Sequence, residues 1–223
     1  MPRLTMTTLR FYLDFISPYA YLGWSQAEAL ADRREMTLRP VPVLFAALLN
    51  AHGHKGPAEI PSKRIYTFKH VVRIAHDLGL PLRPPPAHPF NPLLALRLAS
   101  MPMESAPLRS LITLLYRRTW ATGEGVTDPE AVAQALTDAG FAGRDLVAAA
   151  SSDEAKARVR DQTDDALARG VFGVPSMEIE GSAEVFWGQD AMGHLERYID
   201  GNDPVSPESL ERWRDLPVGA NRK

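Results

Sequence analysis

Ser17 and Pro18 stand where a short apolar strand gives way to a helix. Residues 9–15 (LRFYLDF) are apolar and aromatic, which predicts a strand, and serine followed by proline is a frequent helix start. The first N–H groups of a helix have no partner within it and the helix dipole is positive there, so an anion is favoured beside Ser17. The chain contains no cysteine. A thiolate bound at this point would therefore have to come from another molecule.

The hydroxyl of Ser17 has three interpretations. It can stabilise a bound thiolate, and together with the helix N-terminus it would lower a thiol pKa of about 8.5 by about one or two units. It can instead be only the N-cap of the helix. It can also be the nucleophile of a hydrolase, although no Gly-x-Ser-x-Gly segment surrounds it and no histidine is placed by the sequence to serve as its base.

The predicted elements follow the order βαβ, a long helical tract, then ββα. Residues 36–43 form the second strand, whose two prolines favour the edge of a sheet. Residues 176–179 and 184–187 flank a hairpin turn, and a last helix begins near residue 189. The helices of the tract are predicted at 62–78, 91–100, 105–121, 128–139, 144–150 and 153–169.

This order predicts an α/β architecture, a thioredoxin-like fold with a large all-helical insertion. The thioredoxin-like domain is expected to be discontinuous, formed by residues 8–45 and 170–205. The insertion then spans 46–169, and residues 206–223 form a C-terminal tail.

Composition excludes several classes of protein. The net charge of −2 gives no electrostatic reason to bind nucleic acid or an anionic membrane. No run approaches the roughly 20 apolar residues of a membrane span, and the first ten residues lack an apolar signal core. We therefore expect a soluble cytoplasmic protein. Without cysteine there are no disulfides, and the six histidines suggest no metal site.

Residues 171–176 (VFGVPS) precede the predicted third strand. In a thioredoxin fold the proline that faces the active turn is cis, which predicts a cis peptide bond before Pro175. The N–H and C=O groups of Val174 would then be free to pair with an extended ligand as a short added strand. The alternative is an ordinary trans proline that begins a strand.

Two further groups of polar residues can bind a ligand. Gln189 and Asp190 lie at the predicted start of the last helix, where Asp190 is either an N-cap or the partner of a ligand ammonium. Trp187 beside them is either core or the wall of a ligand site. Lys63 and Arg64 begin a helix, where two cations are unfavourable unless an anion binds there; the alternative is a solvated surface pair.

Four motifs together resemble the 2-hydroxychromene-2-carboxylate isomerases. They are FYLDFISPYAYL at 11–22, HPFNP at 88–92 leading to Arg97, GVFGVP at 170–175 and FWGQD at 186–190. That family is similar to kappa-class glutathione transferases and lies in the DsbA-like thioredoxin superfamily. The resemblance covers residues 8–205.

The resemblance implies roles for particular residues. Glutathione would be the cofactor, with Ser17 as the serine that activates its thiol and Val174 and Pro175 as its main-chain contact. Trp187, Gly188, Gln189 and Asp190 would cradle its γ-glutamyl end. An aromatic keto acid would be the substrate, held by Lys63 and Arg64 with Asn50 and Phe90 as further contacts. A homodimer is also implied.

Three functions remain open at this point. The first is a glutathione-dependent isomerase, in which the thiolate adds reversibly to a conjugated double bond of the keto acid. The second is a kappa-like glutathione transferase, which releases the conjugate. The third is a thioredoxin-like module that binds partners beside Pro175 without catalysis. A disulfide oxidoreductase is excluded because its reaction requires cysteine.

Overall fold

β1 (Thr8–Leu13) is an inner strand of a four-stranded mixed sheet. In the computed structural model, which describes residues 7–217 and residue 219, β2 (Thr37–Pro42) pairs with β1 in parallel and β3 (Ser176–Ile179) pairs with it antiparallel. β4 (Val185–Trp187) pairs antiparallel with β3, giving the order β2-β1-β3-β4. The two prolines of β2 lack the N–H that an inner strand needs, so β2 lies at the edge as predicted.

The described residues form ten α-helices. They are α1 (Pro18–Arg33), α2 (Phe45–Ala51), α3 (Pro61–Asp77), α4 (Leu93–Ala99), α5 (Ser105–Tyr116), α6 (Pro129–Asp138), α7 (Gly143–Ala149), α8 (Asp153–Ala168), α9 (Met192–Ile199) and α10 (Pro207–Arg214). A π-helical turn, Arg117–Ala121, continues α5, and 3₁₀ turns lie at Pro57–Glu59 and Gln189–Ala191. The tract between β2 and β3 is thus helical, as the sequence predicted.

Two helices were not predicted. α2 is a short apolar helix whose first residues adjoin β2, so the sequence alone does not separate it from the strand. α10 lies within the segment predicted to be a tail. Ser206 begins it with a capping box, because the Ser206 and Ser209 side chains each accept the other residue's backbone N–H. The start of α4 also differs, since Pro92 is its N-cap, although the Asn91 carboxamide accepts the N–H of Leu93 at 3.0 Å.

β1 is buried on both faces of the sheet. Phe11 packs under α1, where its ring meets that of Trp24 edge-to-face with centroids 5.5 Å apart. Tyr12 points to the opposite face and packs in a cluster with Leu48 of α2 and Ala166 of α8. Helices on both faces therefore exclude water from the strand that leads to Ser17.

One hydrophobic core joins the sheet to the helical tract. It runs without a break from Phe11 and α1 to Leu111 and Leu136 of α5 and α6. A polar contact adds to it, because the Trp24 Nε1–H donates to Thr113 Oγ1 at 2.8 Å. The domain boundaries at 45, 170 and 205 stay a prediction. None of the helices in the described part of the chain is both long enough and apolar enough to cross a membrane.

Gly143 lies where α7 closely approaches α6. A Cβ at Gly143 would overlap the Ala133 carbonyl oxygen and lie 2.6 Å from Thr137 Oγ1. Because a backbone carbonyl cannot move aside, Gly143→Ala should lower the free energy of unfolding by about 1–3 kcal/mol or more. Denaturant unfolding measures this.

Gly193→Ala is the matched control, because nothing lies within 4 Å of a Cβ at that position in α9. Alanine is the better helix former, so Gly193→Ala should be neutral or stabilising by up to about 1 kcal/mol. Equal effects of the two substitutions would contradict the close approach.

Candidate functional site

Ser17 is the N-cap of α1. Its backbone is extended (φ −92°, ψ 115°), and its Oγ accepts the N–H of Ala20 at 3.2 Å. The same hydroxyl donates a long hydrogen bond, 3.5 Å, to the Val174 carbonyl oxygen. The interpretation of Ser17 as the N-cap of the helix is therefore confirmed, and it does not exclude a second role for the hydroxyl. Because the bond to Val174 is weak, the hydroxyl proton remains available to a better acceptor such as an anion.

The backbone just before Ser17 is hydrogen-bonded by side chains of the helical tract. Three successive carbonyl oxygens accept: Asp14 from Tyr116 Oη at 3.5 Å, Phe15 from Trp120 Nε1 at 2.9 Å and Ile16 from His88 Nε2 at 2.9 Å. The Ser17 N–H in turn donates to the Asp14 carbonyl oxygen at 3.2 Å. The turn that presents Ser17 is thus fixed by residues far away in the sequence.

Asp14 is a functional candidate that the sequence analysis missed. It is 1% exposed, and its carboxylate accepts the N–H groups of Ile16 at 3.0 Å and Phe45 at 2.9 Å. Burial raises the pKa of Asp14 from 3.8 to about 7, although these backbone N–H groups oppose the rise. An acid that directly follows an apolar strand was the signal that could have identified it.

Val174 and Pro175 face the start of α1. The Val174–Pro175 peptide bond is cis, as predicted, and within residues 7–217 the Val174 N–H has no hydrogen-bond partner. The Pro175 carbonyl oxygen accepts the Gly188 N–H at 2.9 Å. Gly23 of α1 lets this segment approach, because a Cβ there would lie 3.1 Å from Pro175 Cγ. An extended ligand can therefore pair with Val174 beside Ser17.

Trp187 lies at the surface, 56% exposed. The interpretation of Trp187 as a core residue is therefore wrong. Its indole covers Gly173, where a Cβ would lie 2.5 Å from Nε1, and its ring meets that of Phe172 with centroids 5.1 Å apart. Two aromatic rings thus form a ledge beside the Val174 segment, open to a ligand.

Gly188, Gln189 and Asp190 follow β4. Gly188 has φ 98°, a conformation that favours glycine, and it is the N-cap of the 3₁₀ turn. Asp190 is therefore not a helix N-cap. Its exposed carboxylate folds back over Gly188, and Gln189 Oε1 accepts a hydrogen bond from Gln26 Nε2 of α1 at 3.1 Å. This segment is thus joined to α1 at Gln26, about two and a half helical turns beyond Ser17.

Arg64 is linked to the serine turn through two aromatic rings. Its guanidinium carbon lies 5.9 Å from the centroid of the Phe68 ring, which meets the His88 ring edge-to-face at 5.3 Å. His88 donates to Ile16 as described, and the Phe90 ring lies 6.2 Å from that of His88. Burial lowers the pKa of His88, and Arg64 lowers it further, so its imidazole is neutral at pH 7. The sequence analysis included His88 only as part of a turn.

Asn50 and Lys63 are less closely joined to the other predicted site residues. Asn50 lies exposed at the end of α2, and Lys63 lies exposed in the first turn of α3. Within residues 7–217 neither side chain is hydrogen-bonded to another predicted site residue. The structure therefore brings together Ser17, Val174, the 187–190 segment and Arg64, and leaves these two at the periphery.

Asp14→Asn should remove a pH dependence of stability. Between pH 4 and pH 7 the folded protein binds one more proton at Asp14 than the unfolded chain, because the pKa is raised on folding. The contribution of Asp14 to the free energy of unfolding therefore falls as pH rises, by up to about 1.4 kcal/mol per pH unit. Denaturant unfolding of both proteins across this range gives the difference, and a difference that is flat with pH would contradict the burial effect.

Comparison with known proteins gives a family and two kinds of relative. The profile of the DSBA-like thioredoxin domain matches residues 8–200. The chain is similar to 2-hydroxychromene-2-carboxylate isomerase from Sphingobium xenophagum, with 27% identity over 194 residues, 86% of this chain and 97% of that protein. It is also similar to glutathione S-transferase kappa 2 from Caenorhabditis elegans, with 29% identity over 184 residues, 77% of this chain and 80% of that protein.

A solved structure agrees in fold. The structure of a 2-hydroxychromene-2-carboxylate isomerase superposes with a TM-score of 0.81 at 23% identity, covering 94% of this chain and 100% of that one. These matches confirm both the resemblance and the fold class that the sequence predicted. Because the family profile spans most of the chain, this protein belongs to the DSBA-like thioredoxin domain family.

Proposed function

We propose that this protein is a glutathione-dependent isomerase of aromatic keto acids of the 2-hydroxychromene-2-carboxylate type. The observation that carries the proposal is the position of Ser17, with its hydroxyl at the start of α1 and 3.5 Å from the Val174 carbonyl oxygen in a chain without cysteine. A hydroxyl and the N–H groups of a helix start suit a bound thiolate, not a redox thiol pair. The names of the relatives support an activity of this class.

Glutathione would bind along the segment from Val174 to Asp190. The Val174 N–H, which has no partner among residues 7–217, and the Val174 carbonyl oxygen, which accepts only the long bond from Ser17 there, suit the cysteinyl backbone of the tripeptide. The exposed Asp190 carboxylate suits the γ-glutamyl ammonium, and the backbone N–H of Gln189, at the first position of the 3₁₀ turn, suits its carboxylate. Trp187 supplies an apolar wall on the open side. This placement puts the glutathione sulfur next to Ser17.

The reaction follows from a thiolate held beside a conjugated keto acid. The sulfur forms a bond to the carbon of the double bond that is remote from the ketone. The former double bond becomes a single bond as its π electrons form a double bond to the keto carbon, whose own π electrons move to the keto oxygen. Rotation about that single bond is fast. The electrons then return, the carbon–sulfur bond breaks and the thiolate leaves with the double bond in the other geometry. Glutathione is regenerated, so the net reaction is an isomerisation.

The carboxylate of the substrate would lie at the start of α3. Arg64 and Lys63 are exposed cations there, and Arg64 is linked to the serine turn through Phe68 and His88. Phe90 adjoins His88 and can meet the aromatic ring of the substrate. Asn50, at the periphery, is the weakest of the predicted contacts.

A kappa-like glutathione transferase is the second candidate, because a kappa-class transferase is as similar in sequence as the isomerase. Product analysis with labelled glutathione distinguishes the two, since an isomerase returns the label as free glutathione.

A non-catalytic binding module would show no glutathione binding by calorimetry up to millimolar concentration. The resemblance also suggests a homodimer, and light scattering measures the oligomeric state. The cytoplasmic location expected from the sequence stays a prediction.

Ser17→Ala should lower turnover by about 10-fold, because the part of the thiolate stabilisation that the hydroxyl supplies is lost while the helix N-terminus remains. The ultraviolet absorbance of the bound glutathione thiolate at pH 7 should fall with it. Ser152→Ala is the matched control, because Ser152 caps α8 in the same way and accepts the Ala155 N–H at 3.1 Å. Each of the two substitutions removes an N-cap and should lower the free energy of unfolding by about 1 kcal/mol, but Ser152→Ala should leave turnover unchanged. Full activity of Ser17→Ala would refute the role of the serine.

Arg64→Met should raise the KM for the keto acid by about 10-fold or more with little change in kcat, since a charge-assisted hydrogen bond to the substrate carboxylate is lost. Lys63→Met should act in the same direction. Arg73→Met removes an exposed cation from the same helix and should leave the KM unchanged. Steady-state kinetics measure all three, and an unaltered KM in both Arg64→Met and Lys63→Met would place the carboxylate elsewhere.

A further inference from the structure

Tyr19 carries a hydroxyl near the start of α1 that the proposed reaction has not yet used. It lies two residues after Ser17, in the first turn of the helix. Its Oη is 3.0 Å from Nδ1 of His70, a residue of α3. The pair joins α1 to α3, and neither side chain is fully buried, so both stay partly open to solvent.

The part of α3 that meets Tyr19 continues to the proposed carboxylate site. Lys63, Thr67 and His70 follow one another at spacings of four and three residues, so they share one stripe of the helix. The Thr67 side chain is close enough to Tyr19 to affect it, because hydrogen bonding to Thr67 partly offsets the rise in the pKa of Tyr19. The Tyr19 hydroxyl therefore lies over the same stripe that begins with Lys63.

Tyr19 also lies within electrostatic range of the proposed glutathione segment. Burial raises the pKa of Tyr19, and the Asp190 carboxylate of the 3₁₀ turn raises it further. The charged and titratable groups around the hydroxyl are thus Asp190, and Tyr66 and His70 from α3. The phenol is protonated at neutral pH, as a tyrosine ordinarily is, and can donate a hydrogen bond.

We propose that Tyr19 is a catalytic residue whose hydroxyl donates a hydrogen bond to the keto oxygen of the substrate while the thiolate adds. This inference rests on the proposed function. As the carbon–sulfur bond forms, the π electrons of the carbon–carbon double bond shift to form a new double bond to the keto carbon. The π electrons of the keto group move to its oxygen, which becomes an enolate oxygen. The Tyr19 proton stays on the tyrosine, and the enolate collapses when the thiolate leaves. A donor placed where the negative charge develops lowers the barrier in both directions.

His70 is the positioning residue of this pair. With its proton on Nδ1, the imidazole donates to the Tyr19 oxygen and leaves the tyrosine proton free to point at the substrate. The ring of His70 is held from the other side by Tyr66, which stacks on it at a centroid distance of 5.7 Å and an angle of 30°. The stack fixes the imidazole plane, and the imidazole fixes the direction of the hydroxyl.

Tyr19→Phe tests the role because it removes only the oxygen. We expect kcat to fall by about 100-fold, with the KM for the keto acid and the Kd for glutathione each changed by no more than about two-fold. The absorbance of the bound thiolate should be unchanged, unlike that of Ser17→Ala. Tyr21→Phe is the matched control, since the Tyr21 hydroxyl on the same helix donates to the Pro81 carbonyl oxygen at 2.9 Å and should be dispensable for kcat.

His70→Phe keeps an aromatic ring for Tyr66 and removes the partner of Tyr19. It should lower kcat by about 10-fold, and the double variant Tyr19→Phe/His70→Phe should be no slower than Tyr19→Phe alone, because the two side chains act as a unit. Multiplicative losses in the double variant would overturn the positioning role of His70.

The outcomes separate this inference from the proposed function. Normal kcat in Tyr19→Phe together with a loss in Ser17→Ala would overturn the inference and leave the proposed function standing. Normal kcat in both variants would overturn both. A raised KM or weakened glutathione binding at unchanged kcat in Tyr19→Phe would also overturn the inference, since Tyr19 would then bind only the ground state.

Discussion

The turn that leads into Ser17 is held by hydrogen bonds that its own residues cannot supply. Three consecutive carbonyl oxygens, those of residues 14, 15 and 16, accept from side chains of the helical tract. The Asp14 side chain accepts N–H groups from the turn itself and from the start of α2. The helical insertion is therefore more than a cover for the site, because it fixes the backbone from which Ser17 emerges.

This arrangement sets the electrostatics of the site. The start of α1 offers N–H groups and a positive dipole end to an anion, while Asp14, the carboxyl group of the turn that leads into α1, is buried and has a pKa raised to about 7. A partly protonated Asp14 opposes a nearby thiolate less than an ionised one would. The neutral imidazole of His88 adds no charge to the turn. Attraction for an anion at Ser17 thus comes mainly from the backbone.

The two groups of proposed ligand contacts differ in character. Beside the sheet lie Val174, the aromatic ledge of Trp187 and Phe172, and the acidic Asp190. On α3 lie the cations Lys63 and Arg64 and aromatic rings. Tyr19 of α1 is hydrogen-bonded to His70 of α3. The proposed reaction between a thiol peptide and an aromatic acid would use this difference in polarity.

The sequence by itself determined much of the fold. Local periodicity and capping predict strand β1, the serine–proline helix start, the proline-marked edge strand and the helical tract between β2 and β3. The absence of cysteine excluded disulfide exchange. Only the tertiary structure decided the environments of Asp14 and His88, the exposure of Trp187 and the pairing of Tyr19 with His70. The contacts of Ser17 with Val174 and of His88 with Ile16 join residues 157 and 72 positions apart. Periodicity indicates which face of a helix or strand is apolar. Contacts between residues far apart in the sequence depend instead on how the folded chain packs its elements together.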